Sequence, residues 1–223
     1  MRGPVSLLSF QAMKRFPIRA VAAVAFVLAL AGAARAQSGD VPKGTVSLKG
    51  QFLVAAPAMR DPRFKESIIF MIDHAAAGAM GLIVNKTLGR GKLVDVLKGL
   101  GTPLADPGPE AEKPLRLGYG GPVELSQGFF LLHSGEWSDA GTVRVGDGVF
   151  LSRQIGILRA MAQGQGPKQV LLVLGYSGWA ANQLEAELGR DDWLTAPADR
   201  GLIFDDDQDG KWAKALKGAG LKL

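Results

Sequence analysis

Phe52-Leu53-Val54-Ala55-Ala56, Ser67-Ile68-Ile69-Phe70-Met71-Ile72 and Gly81-Leu82-Ile83-Val84-Asn85 are three short apolar runs in succession, separated only by turn-like insertions. Their length and their Val, Ile and Phe content predict strands. Strands that follow one another with no helix between them favour a mixed or antiparallel sheet, because a doubly wound parallel sheet needs a crossover after each strand. Four more runs extend the pattern outward, at residues 115–119, 129–133, 149–152 and 170–175. Helical patterns lie between them. Residues 92–100 place Leu93, Val96, Leu97 and Leu100 on one face, and residues 152–163 run from an N-cap Ser152 through Ile155, Leu158 and Met161 to a stop at Gly164. Residues 179–188 repeat that design and end at Gly189. The expected class is α+β, a single domain with a mixed sheet and flanking helices. The proline-rich stretch 102–114 reads as a surface excursion from it.

Upstream of this domain the chain changes character. Lys14, Arg15 and Arg19 precede an unbroken apolar segment from Ala20 to about Ala34, and Ala34-Arg35-Ala36 has the small-x-small form that a signal peptidase cleaves. The apolar core is shorter than the roughly 20 residues a spanning helix needs, so removal is expected and no transmembrane anchor after cleavage. Residues 1–36 are therefore expected to be a signal peptide, with Met13 as its functional start, and the protein to be periplasmic or secreted. Residues 37–49 are polar with Gly and Pro and read as a flexible spacer, leaving 50–223 as the domain.

The leader accounts for the charge. Five of the 26 basic side chains and none of the 21 acidic ones lie in residues 1–36, so residues 37–223 carry 21 of each sign. The net charge of +5 is thus a property of the targeting segment, and the usual argument from a basic domain to nucleic acid fails. A local basic patch would require Arg60, Arg63, Lys65, Lys86, Arg90 and Lys92 to meet. Cys is absent, which excludes disulfides, thiol catalysis and thiolate metal sites.

Few side chains suit chemistry. His74 and His133 are the two imidazoles, each at the end of an apolar run, where a hydrogen-bonded structural role competes with general-base catalysis. Ser134 follows His133, but neighbouring strand residues point to opposite faces, so the pair is poorly placed for nucleophile activation. Gly175-Tyr176-Ser177-Gly178 resembles a nucleophile elbow but has Trp179 where the second Gly belongs, leaving Ser177 as an expected helix N-cap or entry turn. Asp205, Asp207, Asp209 and Gly210 match the opening of an EF-hand loop, yet Leu216 stands where the bidentate Glu is required. Acids preceding a short helix that carries Lys211, Lys214 and Lys217 explain the same residues through the helix dipole. No metal or other cofactor is expected.

Gly50 through Phe64 (Gly-Gln-Phe-Leu-Val-Ala-Ala-Pro-Ala-Met-Arg-Asp-Pro-Arg-Phe), Gly78-Ala79-Met80-Gly81-Leu82-Ile83-Val84-Asn85-Lys86, Gly120-Gly121-Pro122-Val123, Leu174-Gly175-Tyr176-Ser177-Gly178-Trp179, Gln183-Leu184-Glu185-Ala186-Glu187-Leu188 and Trp193-Leu194 resemble, in order and spacing, the signature of the YqgE/AlgH family. The resemblance runs from about Ser47 to the C-terminus. It implies an α+β domain with a bifurcated, barrel-like sheet, no established enzyme activity and no cofactor. One branch of the family is named for a proposed regulatory role in alginate production, and anion or nucleic-acid binding has been suggested. The matching Gly78, Gly81, Gly120, Gly121, Asp61-Pro62, Trp179 and Trp193 are implied fold determinants. Members are generally cytosolic, so the leader is a departure. The expectation is a non-enzymatic regulatory or interaction domain of the cell envelope, with an unidentified protein partner or small ligand. The alternative is a small-ligand or anion binder, or a hydrolase-like enzyme, using His74, Asn85, Gly120, Gly121, His133 or Ser177. A cytosolic transcriptional regulator ranks third and requires the leader to be unused.

Overall fold

The computed structural model describes residues 46–221 except 126, 127, 136 and 138. The expected signal peptide and residues 37–45 of the expected spacer lie outside the described residues. Eleven strands alternate irregularly with five short helices. One sheet holds β1 (Gln51–Ala55), β2 (Ile68–Ala75), β3 (Gly78–Ile83), β10 (Ser177–Ala180) and β11 (Trp193–Pro197), in the order β10-β3-β2-β1-β11. The other holds β4 (Thr87–Lys92), β5 (Pro114–Tyr119), β6 (Phe129–Ser134), β7 (Val143–Gly146), β8 (Val149–Ser152) and β9 (Val170–Leu174), in the order β4-β5-β9-β6-β8-β7. The β5–β9 pair is parallel and the other strand pairings among the described residues are antiparallel, so the first sheet is antiparallel, the second is mixed, and the class is α+β, as expected.

Both faces of each sheet are covered, which is why the inner strands read as continuous apolar runs. Successive strand side chains point to opposite faces. Phe52, Val54, Ile68 and Phe70 accordingly meet Phe130, Leu132, Leu171 and Val173 in a central cluster between the sheets. Leu53, Ala55, Ile69 and Met71 face outward and pack with Leu184 of α3 (Gln183–Leu188), Trp179 and Trp193. Leu131 and Leu172 face outward from the second sheet, against α1 (Leu93–Gly99) and α2 (Gly156–Ala162). Ile203 of α4 (Arg200–Phe204) and Leu216 of α5 (Lys211–Gly218) complete the central cluster.

The two sheets diverge from a seam and do not close into a barrel. The chain crosses between sheets at β3 to β4 and again at β9 to β10, and the end of β5 lies against both crossings. There Gly120 N–H donates to Leu174 O (2.8 Å), Ile83 N–H donates to Gly120 O (2.9 Å), and Val123 and Tyr176 exchange both backbone hydrogen bonds at 3.0 Å.

Two helix expectations need correction. The pattern at 152–163 starts as helix only at Gly156, because Ser152 is the last residue of β8 and its Oγ accepts Gln154 N–H, a local turn in place of a cap. The pattern at 179–188 splits into strand β10 and helix α3, because Ser177 to Ala180 pairs with β3 and ladder hydrogen bonds outweigh a helix of marginal length. Within the described residues no helix is long and apolar enough to cross a membrane.

Candidate functional site

The six side chains and backbone positions singled out in the sequence fall in four places. His74 lies in β2, buried, with Nδ1 accepting Leu48 N–H at 3.1 Å and Nε2 2.9 Å from Glu185 Oε1 on α3. His133 lies in β6 of the other sheet, fully buried, stacked on Phe150 with ring centroids 5.5 Å apart. The two imidazoles share no partner and cannot act on one reacting atom. His133 departs from the hydrogen-bonded role expected of it: neither ring nitrogen finds a partner among the described residues. Burial pushes its pKa down, against a weaker opposing pull from Ser134 and Asp139.

Gly120, Gly121 and Ser177 come together at the seam. Ser177 is a buried strand residue whose Oγ donates to Gly120 O (3.3 Å), so it caps no helix and has no base beside it. A Cβ on Gly121 would lie 2.2 Å from the Tyr176 carbonyl carbon, and Gly121 adopts φ +150, so only glycine fits. The loop is therefore filled by the neighbouring backbone, not shaped as an open cradle.

Asn85 stands at the edge of an open cleft of about 600 Å³ lined by Lys65, Glu66, Lys86, Gln208, Gly210 and Trp212, among others. Its Oδ1 accepts Ile68 N–H and its Nδ2 donates to Glu66 O, both at 2.8 Å, which ties the β3–β4 link to the entry of β2. Lys86 Nζ donates to Arg63 O (2.9 Å), so the two basic stretches do meet here. Burial pushes the Lys86 pKa down, with Glu66 and Asp61 opposing. The patch is largely neutralised: Arg63 pairs with Asp61, Arg90 with Asp206, and Lys92 with Glu112. The Arg63 side chain is also the main reason Asp61 sits below the usual carboxylate range. Gln208 Oε1, which belongs to a residue lining the cleft, is buried without a partner among the described residues.

Sequence reasoning missed the residues that answer these groups across the fold. Glu185 lies 111 positions from His74 and no local spacing announces it. Lys211 is expected from the sequence only as one of three lysines that suit the dipole of a short helix. It is 1% exposed, and Nζ donates to Leu202 O (2.8 Å) and Asp205 O (2.6 Å). Arg116, also buried, donates to Val84 O and Ile203 O. These two cations satisfy the carbonyls that the short α4 leaves open at its C-terminal end. Asp205 and Asp207 each accept the amide two residues on, so the acidic run is a pair of local turns. Among the described residues no group of three or more His, Asp or Glu is placed to hold a metal ion.

Comparison with known proteins agrees with this architecture. A family model described as AlgH-like matches residues 52–223. A UPF0301 protein of Methylococcus capsulatus is 45% identical over 184 residues, covering 82% of this chain and 98% of that one. One from Bradyrhizobium diazoefficiens is 40% identical over 196 residues, covering 85% and 91%. The solution structure of the AlgH protein from Pseudomonas aeruginosa superposes with a TM-score of 0.66 at 37% identity, covering 79% of this chain and 91% of that one. With the family model spanning most of the chain, this protein belongs to the AlgH-like, UPF0301 family.

Proposed function

We propose that this protein is an exported, non-catalytic interaction domain of the cell envelope. The single observation that carries the non-catalytic reading is the commitment of the candidate groups. His74 is tied to Leu48 and Glu185, Ser177 and Asn85 to backbone, and His133 is shut in the core of the other sheet. General acid–base work needs a group within hydrogen-bond reach of a substrate proton. The export part rests on residues 14–36. It also makes cytoplasmic nucleic acid a poor partner, which the neutral charge of residues 37–223 independently disfavours.

The cleft beside Asn85 supports a second, narrower reading as a small-ligand binder, since Lys65, Gln208 and Trp212 bring a cation, an amide and an aromatic to one concavity. Both readings are tested by placing a photo-crosslinking side chain at Ala213, which lines the cleft, and a control at Lys98, exposed on α1. A protein adduct from position 213 and not from 98, recovered in the periplasmic fraction, is the expected result. Adducts equal at both positions overturn the cleft as a recognition surface. Turnover of a substrate abolished by His74→Gln overturns the non-catalytic reading.

A further inference from the structure

Ser47 and Leu48 lie near the start of the described residues and both bond to His74, while the Leu48 carbonyl also accepts Gln51 N–H in a local turn (3.0 Å). Leu48 N–H donates to His74 Nδ1, and Ser47 Oγ donates to the His74 carbonyl, each at 3.1 Å. An imidazole nitrogen that accepts from an amide carries no proton, so the ring is neutral with its hydrogen on Nε2, directed at Glu185 Oε1 2.9 Å away. The side chain is 2% exposed, which leaves Nδ1 with no alternative acceptor in place.

We propose that His74 is an acid-operated latch on the N-terminal segment. A proton added at Nδ1 faces the Leu48 N–H, donor against donor, so the imidazolium form releases Ser47 and Leu48 from β2 and keeps its ion pair with Glu185. The charged groups around the ring decide the direction. Glu185 on α3 favours the imidazolium in the latched and released states alike. Partial burial works to raise the Glu185 carboxyl, but its hydrogen bonds, chiefly from His74, outweigh that and hold it below its ordinary value. Glu187 on the same helix is already occupied by the indoles of Trp179 and Trp193. Asp73, next in the strand, is exposed, and β3, which pairs Ala79 with His74, carries no charged side chain. What differs between the two states is the Leu48 amide, so the released state binds the extra proton and gains population as pH falls.

Release has a structural consequence. Leu48 packs against the outer cluster that holds Leu53, Trp179 and Trp193, and its departure opens an apolar notch on that face. The latch itself does not depend on the protein's compartment, although a periplasmic address would expose it to external acid.

Amide hydrogen exchange followed by NMR on the purified full chain tests the latch, with protection of Leu48 compared with that of Leu132 in the interior strand β6. Leu48 protection is expected to fall about tenfold per pH unit over the interval in which the released state takes up the extra proton, while Leu132 stays protected. His74→Gln, whose amide oxygen accepts from Leu48 but takes no proton, should make Leu48 protection flat with pH. Glu185→Gln should shift the fall to lower pH. If the His74 variant does not fold, the Glu185 variant and the nitrogen-15 shifts of the wild-type ring carry the test. Leu48 protection that tracks Leu132 at every pH, a fall unmoved by Glu185→Gln, or a ring protonated on Nδ1 at neutral pH each overturns the proposal.

Discussion

His133 stores an unmet demand: a fully buried ring whose two nitrogens have no hydrogen-bond partner among the described residues. An unsatisfied buried polar group costs about 1–3 kcal/mol, so His133→Leu is expected to stabilise the fold by about 1 kcal/mol at pH 8 in urea titration. The pH dependence has a definite sign. The folded-state pKa lies below the unfolded value, so stability is full above the unfolded value and is lost as pH falls through the folded one. His133→Leu should therefore gain more over wild type at pH 5 than at pH 8; a gain that shrinks on acidification contradicts the assignment. Lys211 acts at the other end of the scale. Burial, with Arg116 adding to it, pushes its pKa down to about 8, so the unfolded chain holds the proton more tightly. Stability is expected to rise by about 2 kcal/mol between pH 8 and 10 on this account, and Lys211→Met should flatten that rise. Neither environment was legible in the sequence. A lysine three positions before another on a short helix looks like surface, and only the fold places the α4 carbonyls over its head group.

Element α3 is tied to its sheet by a second carboxylate besides Glu185. Glu187 Oε2 accepts from both Trp179 Nε1 and Trp193 Nε1 at 2.8 Å, which joins the two edge strands β10 and β11 across the outer face. Glu187→Ala strands two indole donors in a largely buried setting and is expected to cost about 2–4 kcal/mol, measured by chemical denaturation. A loss below 0.5 kcal/mol would mean that the indoles find other acceptors. The same scale explains what periodicity revealed. The seven strands expected from apolar runs are the interior strands of the two sheets, and the four that were missed, β4, β7, β10 and β11, are the edges. An interior strand is flanked on both sides and covered on both faces, so its residues must be apolar. The edge strand β4, Thr-Leu-Gly-Arg-Gly-Lys, is not, and it keeps the charge and glycine that deter edge-to-edge pairing. Ser177 was mistaken for a cap for the same reason: an edge strand of four residues looks like the approach to the helix behind it.

The molecule as a whole depends on the seam where the sheets diverge. Gly121→Ala places a methyl against the Tyr176 backbone at a φ that side chains rarely adopt, and is expected to cost at least about 3 kcal/mol or to prevent folding. Gly210→Ala, at a positive φ but with open space around it, should cost far less, about 1 kcal/mol. Equal losses at the two positions would remove the seam's special role. The seam was only partly legible. The glycines were visible as turn formers, but that Gly120-Gly121 backs onto Gly175-Tyr176 follows from strand pairings more than fifty residues apart in sequence, which no local pattern encodes. The address is a separate matter. It rests on residues 14–36, which precede the matched family segment, and on it depends the reading of this domain as an envelope protein. The most direct test is the intact mass of the native protein recovered from fractionated cells. A periplasmic or secreted product of 187 residues beginning at Gln37 is the predicted result. A full-length cytosolic product, retaining Lys14, Arg15 and Arg19, would contradict the account and reopen cytoplasmic partners, nucleic acid among them.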